Sequence, residues 1–274
     1  MMIKDVMVRL DGGPSDGARL ATANEIARIF DSTVIGLYIN VLPLLLPEEG
    51  GGSNSVELLN SARAIGDKIE ADIGERLSGL HKPWELRRYD VINDEMSEIA
   101  AREARAADAF VALRPNGIPE EDESVVKGVI FGSGHHVFLV PDGMKELTGV
   151  KQVVVAWNGS RESARALAEA LPYLQQAERV TVVVVVEEHD IEDKAILGAE
   201  AVQHLSHHGI DADLLHVTNE HGDVGETLLA EARRLGADLI VLGGYSHSPL
   251  RERLLGGVTY RLLHEAPIPL LVAH

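Results

Sequence analysis

Residues 151–160 read KQVVVAWNGS and residues 4–13 read KDVMVRLDGG. Each stretch opens on a lysine, runs through an apolar segment of strand length, and closes on Asn158 or Asp11 followed by small residues that suit a turn. The same pattern at the head of each half of the chain marks a duplicated unit, and a duplication constrains the fold more than any local propensity does. Later strands repeat as well: Ala107, Asp108, Ala109, Phe110 and Val111 match Ala237, Asp238, Leu239, Ile240 and Val241, and Val137 to Pro141 match Leu270 to His274. The spacing between the copies shortens along the chain, so the first copy carries extra residues. They are expected at Leu42 to Ser55, where Pro43, Pro47 and the run Gly50, Gly51, Gly52 fit neither strand nor helix periodicity. That stretch reads as a mobile surface insertion, with a lid over a ligand as the alternative.

Within the second copy, strands at 151–157, 180–187, 211–217, 238–243 and 269–273 alternate with helices near 160–175, 190–208, 223–235 and 256–265. Ser160 and Asp223 stand where helix N-caps belong. Alternating strand and helix predicts parallel strands joined by crossover helices. The expected class is therefore α/β, with two tandem doubly wound domains on five-stranded parallel sheets, spanning 1–142 and 149–274. Pro141, Asp142 and Gly143 read as the turn between them. In such sheets ligands sit at the carboxyl ends of the strands.

Composition narrows the function classes. With 274 residues and 45% hydrophobic content but only 4% aromatics, the core must be built from Val, Leu, Ile and Ala. The absence of cysteine removes disulfides, thiolate catalysis and Cys-ligated zinc. A formal charge of −18 disfavours nucleic acid as a partner. The N-terminus enters a strand without a signal-like leader and no apolar run reaches membrane-span length, so the expectation is a cytoplasmic protein with no membrane partner.

The segment with chemical content starts at the strand Leu239, Ile240, Val241, Leu242. It continues through Gly243, Gly244, Tyr245, Ser246, His247 and Ser248, then returns to glycine at Gly256 and Gly257 before Val258 and Thr259. Glycine pairs at a strand end and a helix start can set backbone N–H groups around a phosphate; they also serve as plain turns. The segment resembles the C-terminal signature of the universal stress protein family, in which spaced glycines and a Gly-Ser or Gly-Thr pair cradle the triphosphate of ATP. Gly243, Ser246, Gly256 and Gly257 fall on its four positions, with Ser246 in place of a glycine and Gly257 in place of a hydroxyl residue. The tail through Leu262, Leu263, Ala266, Pro267 and Leu270 to Val272 resembles the family's last helix and strand.

That resemblance implies an adenine nucleotide alpha hydrolase-like fold and a stress-response regulatory role. It implies ATP, with magnesium, in the second domain, against Ala156, Asn158, Gly159, Ser160, Val185, Gly243, Gly244, Ser246, His247, Gly256, Gly257, Val258 and Thr259. Asn158 stands where the family has an Asp by the adenosine, and Val185 would offer its backbone to adenine. Asn158, Gly159 and Ser160 also read as an ordinary turn and helix cap. His247, Ser248, Arg251 and Arg253 would add donors and positive charge near the loop.

The first copy keeps Asp11 but replaces the glycine cradle with the stretch Arg114 to Ser124, rich in carboxylates and carrying two prolines, so it is not expected to hold ATP through this motif. Gly132, Ser133 and Gly134 read as a helix stop. His204 and His208 have metal-compatible spacing without a fixed third ligand, and are read as helix-end capping rather than a metal site. No Ser, His, Asp constellation, nucleophile elbow or thiol predicts an enzyme; at most slow ATP hydrolysis is expected. The alternative function is an interaction module that has lost its ligand and keeps a pseudo-twofold sheet interface. The family pairs single domains through their last strands; here Val137 to Val140 and Leu270 to Val272 are expected to pair within one chain, with a homodimer as a further expectation.

Overall fold

Apolar runs rich in Val, Ile and Leu form the inner strands of the sheet, buried from both sides, and more mixed segments form its two partly exposed edge strands. In the first half these are β1 (Asp5–Leu10), β2 (Thr33–Val41), β3 (Trp84–Val91), β4 (Ala109–Leu113) and β5 (His136–Val140). In the second half they are β6 (Gln152–Ala156), β7 (Arg179–Val186), β8 (Ala212–Thr218), β9 (Leu239–Gly243) and β10 (Leu270–Ala273). The helices are α1 (Asp16–Phe30), α2 (Gly52–Ser78), α3 (Met96–Ala104), α4 (Glu123–Gly132), α5 (Arg161–Leu174), α6 (Ala199–His207), α7 (Val224–Leu235) and α8 (Val258–Glu265). The structure, a computed structural model, describes residues 2–44, 52–92, 95–115, 123–141, 143–144, 147, 149–186, 196–219, 222–245 and 257–274.

All ten strands lie in one sheet, in the order β3-β2-β1-β4-β5-β10-β9-β6-β7-β8. Each half is a five-stranded parallel sheet of the same topology, and the halves join where β5 and β10 pair antiparallel, Leu139 opposite Leu270 and Val137 opposite Val272. The apolar edges thus cover one another within the chain, as the two matching strands lead one to expect. Two aspartates at equivalent positions pin the first strand of each lobe. Asp108 accepts from the backbone N–H groups of Lys4 and Asp5, and Asp238 accepts from those of Lys151 and Gln152.

Helices cover both faces. One core packs α1, α2, α5 and α6 against the sheet through residues such as Ile26, Leu77, Leu167 and Leu205. The other packs α3, α4, α7 and α8 through Ala100, Val129, Leu228 and Leu262. The predicted caps form: Ser160 Oγ accepts from the Ser163 N–H at 3.1 Å, and Asp223 Oδ1 from the Glu226 N–H at 3.0 Å. Strand bounds fall within a residue or two of the expected ones. The helix expected at 190–208 is instead an α6 that starts at Ala199, because Gly198 has φ 96° and breaks the helical path; residues 190–195 lie outside the described residues.

The first copy's surplus lies between its second and third strands, as expected, but part of it is helix. The 27-residue α2 already begins at Gly52, within the stretch expected to be a loop, and residues 45–51 lie outside the described residues. At the other end of this lobe α4 stops at Gly132, and Gly134 has φ 83°, the helix stop read from the sequence. Gly143, φ 74°, turns the chain between the lobes, with the Met144 N–H on the Pro141 carbonyl at 3.4 Å; Asp142 lies outside the described residues.

The seam between the lobes carries one buried polar chain. His136 at the start of β5 places Nδ1 3.0 Å from Glu169 Oε2 and Nε2 3.0 Å from the Tyr173 hydroxyl, both on α5 of the other lobe. Arg165 closes the chain from the rim, 2.6 Å from the second Glu169 oxygen. Repeat-related positions on the opposite side of the seam are Pro269, Thr22 and Ile26, which cannot make it.

Candidate functional site

The carboxyl ends of β6, β7 and β9 bring the second-lobe residues named from the sequence to one place. Ala156 ends β6, opposite Val183 of β7 and Leu242 of β9. Trp157 continues the edge, its backbone N–H on the Val183 carbonyl at 2.9 Å. Ala156, Val185 and Val258 are all half-buried and pack against the same core. Beside it α8 starts at Gly257, an N-cap with φ −52° and ψ 149° that brings no side chain to the first-turn N–H groups.

Next along this edge come Asn158, Gly159 and Ser160, which form a turn closed on itself. Asn158 Oδ1 accepts from the Ser160 N–H at 3.1 Å, and Gly159 takes φ 72° to bring the chain into the Ser160 cap. The turn-and-cap reading therefore accounts for all three residues, while Asn158 and Gly159 stay exposed at the crevice. The neighbouring turn before α6 is pinned to the same edge: Trp157 Nε1 donates to Glu200 Oε1 at 3.1 Å, and Glu200 Oε2 accepts from the Gly198 N–H. Sequence reading did not single out this tryptophan.

Gly243 and Gly244 have a different reason to be glycine from the one expected. Neither takes positive φ; the left-handed residue here is Tyr245, at φ 58°. A Cβ on Gly243 would lie 2.4 Å from the Glu162 carbonyl carbon and from the Ser163 nitrogen, so β9 and the start of α5 touch backbone to backbone. A Cβ on Gly244 would meet Val272 Cγ1 at 2.8 Å. Thr259 is buried and its Oγ1 accepts from the Tyr245 N–H at 3.1 Å, tying the end of β9 to the first turn of α8. Ser246, His247, Ser248, Arg251, Arg253 and Gly256 lie outside the described residues.

Residues 149–274 match the family model described as the universal stress protein family. The second lobe is a universal stress protein domain. A universal stress protein structure from Archaeoglobus fulgidus is similar over 98% of this chain and 97% of that one, at 15% identity and TM-score 0.74, which shows the tandem fold. A functionally unknown protein from Pseudomonas aeruginosa is similar over 99% of this chain and 92% of that one, at 13% identity and TM-score 0.59. A universal stress protein solved in complex with cAMP aligns with 46% of this chain and 98% of its own, at 25% identity and TM-score 0.40. Comparison with curated protein sequences finds no match.

The first lobe has the same topology as the universal stress protein domain but a filled crevice. Asp11, at the end of β1, accepts from Arg19 Nη2 at 2.6 Å and from the Gly13 N–H at 2.7 Å. Asp16 shares that guanidinium at 2.6 Å and also accepts from the Asp11 and Gly12 N–H groups. Arg19 is fully buried, and Arg76 reaches in from α2 to Asp16 at 3.3 Å. Burial pushes the Asp11 carboxyl up, but Arg19, the Gly13 N–H and Arg9 outweigh it, so its affinity for protons falls below the usual carboxylate range. Where the second lobe has Ala156 and Gly244, the matching positions of the first are Arg9, which is buried, and Arg114. Ile69 of α2 lies over Gly12, its Cγ2 2.6 Å from where a Cβ would stand. Residues 116–122, the core of the acidic stretch, lie outside the described residues.

The described histidines make other contacts. His204 and His208 place their rings 4.7 Å apart, and His216 Nε2 bonds to the Leu197 carbonyl at 2.9 Å. Among the described residues no group of three or more His, Cys, Asp or Glu could hold a metal, and no helix is long and apolar enough to cross a membrane. His221 lies outside the described residues.

Proposed function

We propose that the second lobe binds an adenine nucleotide, ATP with magnesium being the expected form, and that the chain acts as a stress-response regulator whose surface responds to that ligand. What supports this is the half-burial of Ala156, Val185 and Val258 on one core, together with an α8 whose N-cap, Gly257, brings no side chain to the first-turn N–H groups. A planar base needs an apolar floor with backbone polar groups at its edge, which the end of β7 supplies at Val185. An anion needs N–H groups without competing side chains, which a glycine N-cap leaves accessible. The residues present fit the nucleotide better than they fit a bare metal ion. With Asn158 in place of an aspartate and its Oδ1 engaged by Ser160, magnesium would be carried by the phosphates and water rather than by a protein cage.

A second reading, an interaction module without ligand, draws support from Gly243. Its closeness to the α5 backbone explains the glycine by packing alone, without a phosphate. Heating the protein with ATP and magnesium separates the two readings. At a ligand concentration 100 times the dissociation constant, stability should rise by about 2.7 kcal/mol. An unchanged melting temperature at millimolar ATP would leave only the interaction module.

A further inference from the structure

We infer that Phe131 of the first lobe is a positioning residue for the nucleotide crevice of the second, an inference that rests on the nucleotide reading above. Because β5 and β10 run antiparallel, the end of α4 comes to lie beside the carboxyl end of β10. There the Phe131 ring stands 5.0 Å from the Tyr245 ring and 4.7 Å, edge on, from the His274 ring. His274 Nδ1 is 2.9 Å from the Gly244 carbonyl, so the cluster grips the chain at the point where it leaves β9. Phe131 is 47% exposed, more than a residue retained only for core packing would be.

Tyr245 explains why a grip is needed. A tyrosine at φ 58° is in a costly conformation that persists only where its surroundings over-determine it. On one side Thr259 Oγ1 holds its N–H; on the other Phe131 stands against its ring. Tyr245 thereby sets the distance between the end of β9 and the first turn of α8, the two elements expected to flank a phosphate.

The cluster is one-sided. Across the seam the matching positions are His264 for Phe131, Pro115 for Tyr245 and Pro141 for His274. His264 stacks on Tyr260 of its own helix instead, with ring centroids 4.1 Å apart. The aromatic grip stands only at the crevice whose glycines are kept.

The test uses the full chain carrying Phe131→Ala, Phe131→Leu and, as a control at an exposed ring on the far edge strand β3, Trp84→Ala. Without nucleotide, hydrogen exchange at the amides of Tyr245 and Thr259 should quicken about tenfold in Phe131→Ala, with β5 and β10 unchanged and Phe131→Leu in between. The dissociation constant for ATP should rise about tenfold in Phe131→Ala and stay within about twofold in Trp84→Ala. Unchanged exchange in Phe131→Ala would overturn the grip. Faster exchange with unchanged ATP affinity would overturn its positioning role. Faster exchange in a protein whose wild type ignores millimolar ATP would overturn the nucleotide reading and this role with it.

Discussion

Replacing Gly243 with alanine is expected to cost about 3 kcal/mol, the upper part of the range for overpacking. The added methyl would sit 2.4 Å from the Glu162 carbonyl carbon and the Ser163 nitrogen. Those are backbone atoms in the first turn of α5, so no rotamer change relieves the clash; the helix must move off the sheet. Gly244→Ala is expected to cost less, because its nearest neighbour is the Val272 side chain, which can shift. Urea unfolding of both variants checks the order. A loss below about 1 kcal/mol for Gly243→Ala would mean that α5 yields easily and that packing does not explain the glycine.

Removing the Glu169 carboxylate should be as damaging. Glu169→Ala leaves His136 buried at the seam with its carboxylate partner gone and only the Tyr173 hydroxyl beside the ring, a change that costs about 3 kcal/mol or more. The same group should give the seam an acid limit. Burial pushes the Glu169 carboxyl up, but the hydrogen bond and charge of His136, with Arg165 and His135, outweigh it and bring it below the usual glutamate range. A carboxyl held more acidic in the folded state than in the unfolded chain stabilises fully above the unfolded value, about 4.3. That contribution is lost as pH falls through the lower folded value. Stability of the wild type should therefore drop more steeply below about pH 4 than that of Glu169→Gln. Parallel acid-unfolding curves for the two proteins would remove Glu169 from the explanation.

The repeat made the strand order and the seam legible because buried parallel strands leave continuous apolar runs, and two matched runs, Val137 to Val140 and Leu270 to Val272, had no other cover. Ser160 and Asp223 were legible as caps because the bond each makes is local. Gly243 was legible as a special position but not for its reason. The clash that forbids a side chain there comes from residues 162 and 163, distant in sequence. Phe131 and His274 were invisible for the same cause: one precedes a glycine helix stop and the other ends the chain. Only the antiparallel seam brings them to Tyr245. In the first lobe, Asp11 kept its charge while the buried Arg19 eight residues on consumed it, a pairing that a reading of strand ends alone passes over.

The antiparallel seam has one more consequence. Strands of the two lobes run in opposite directions, so their carboxyl ends emerge at opposite poles of the molecule. Under the nucleotide reading proposed above, ligand would occupy the pole of the second lobe and leave the opposite pole, with Arg9 and Arg19, without it. One element reaches from pole to seam: α5 starts at the second-lobe crevice and holds His136 of the first lobe through Glu169 and Tyr173.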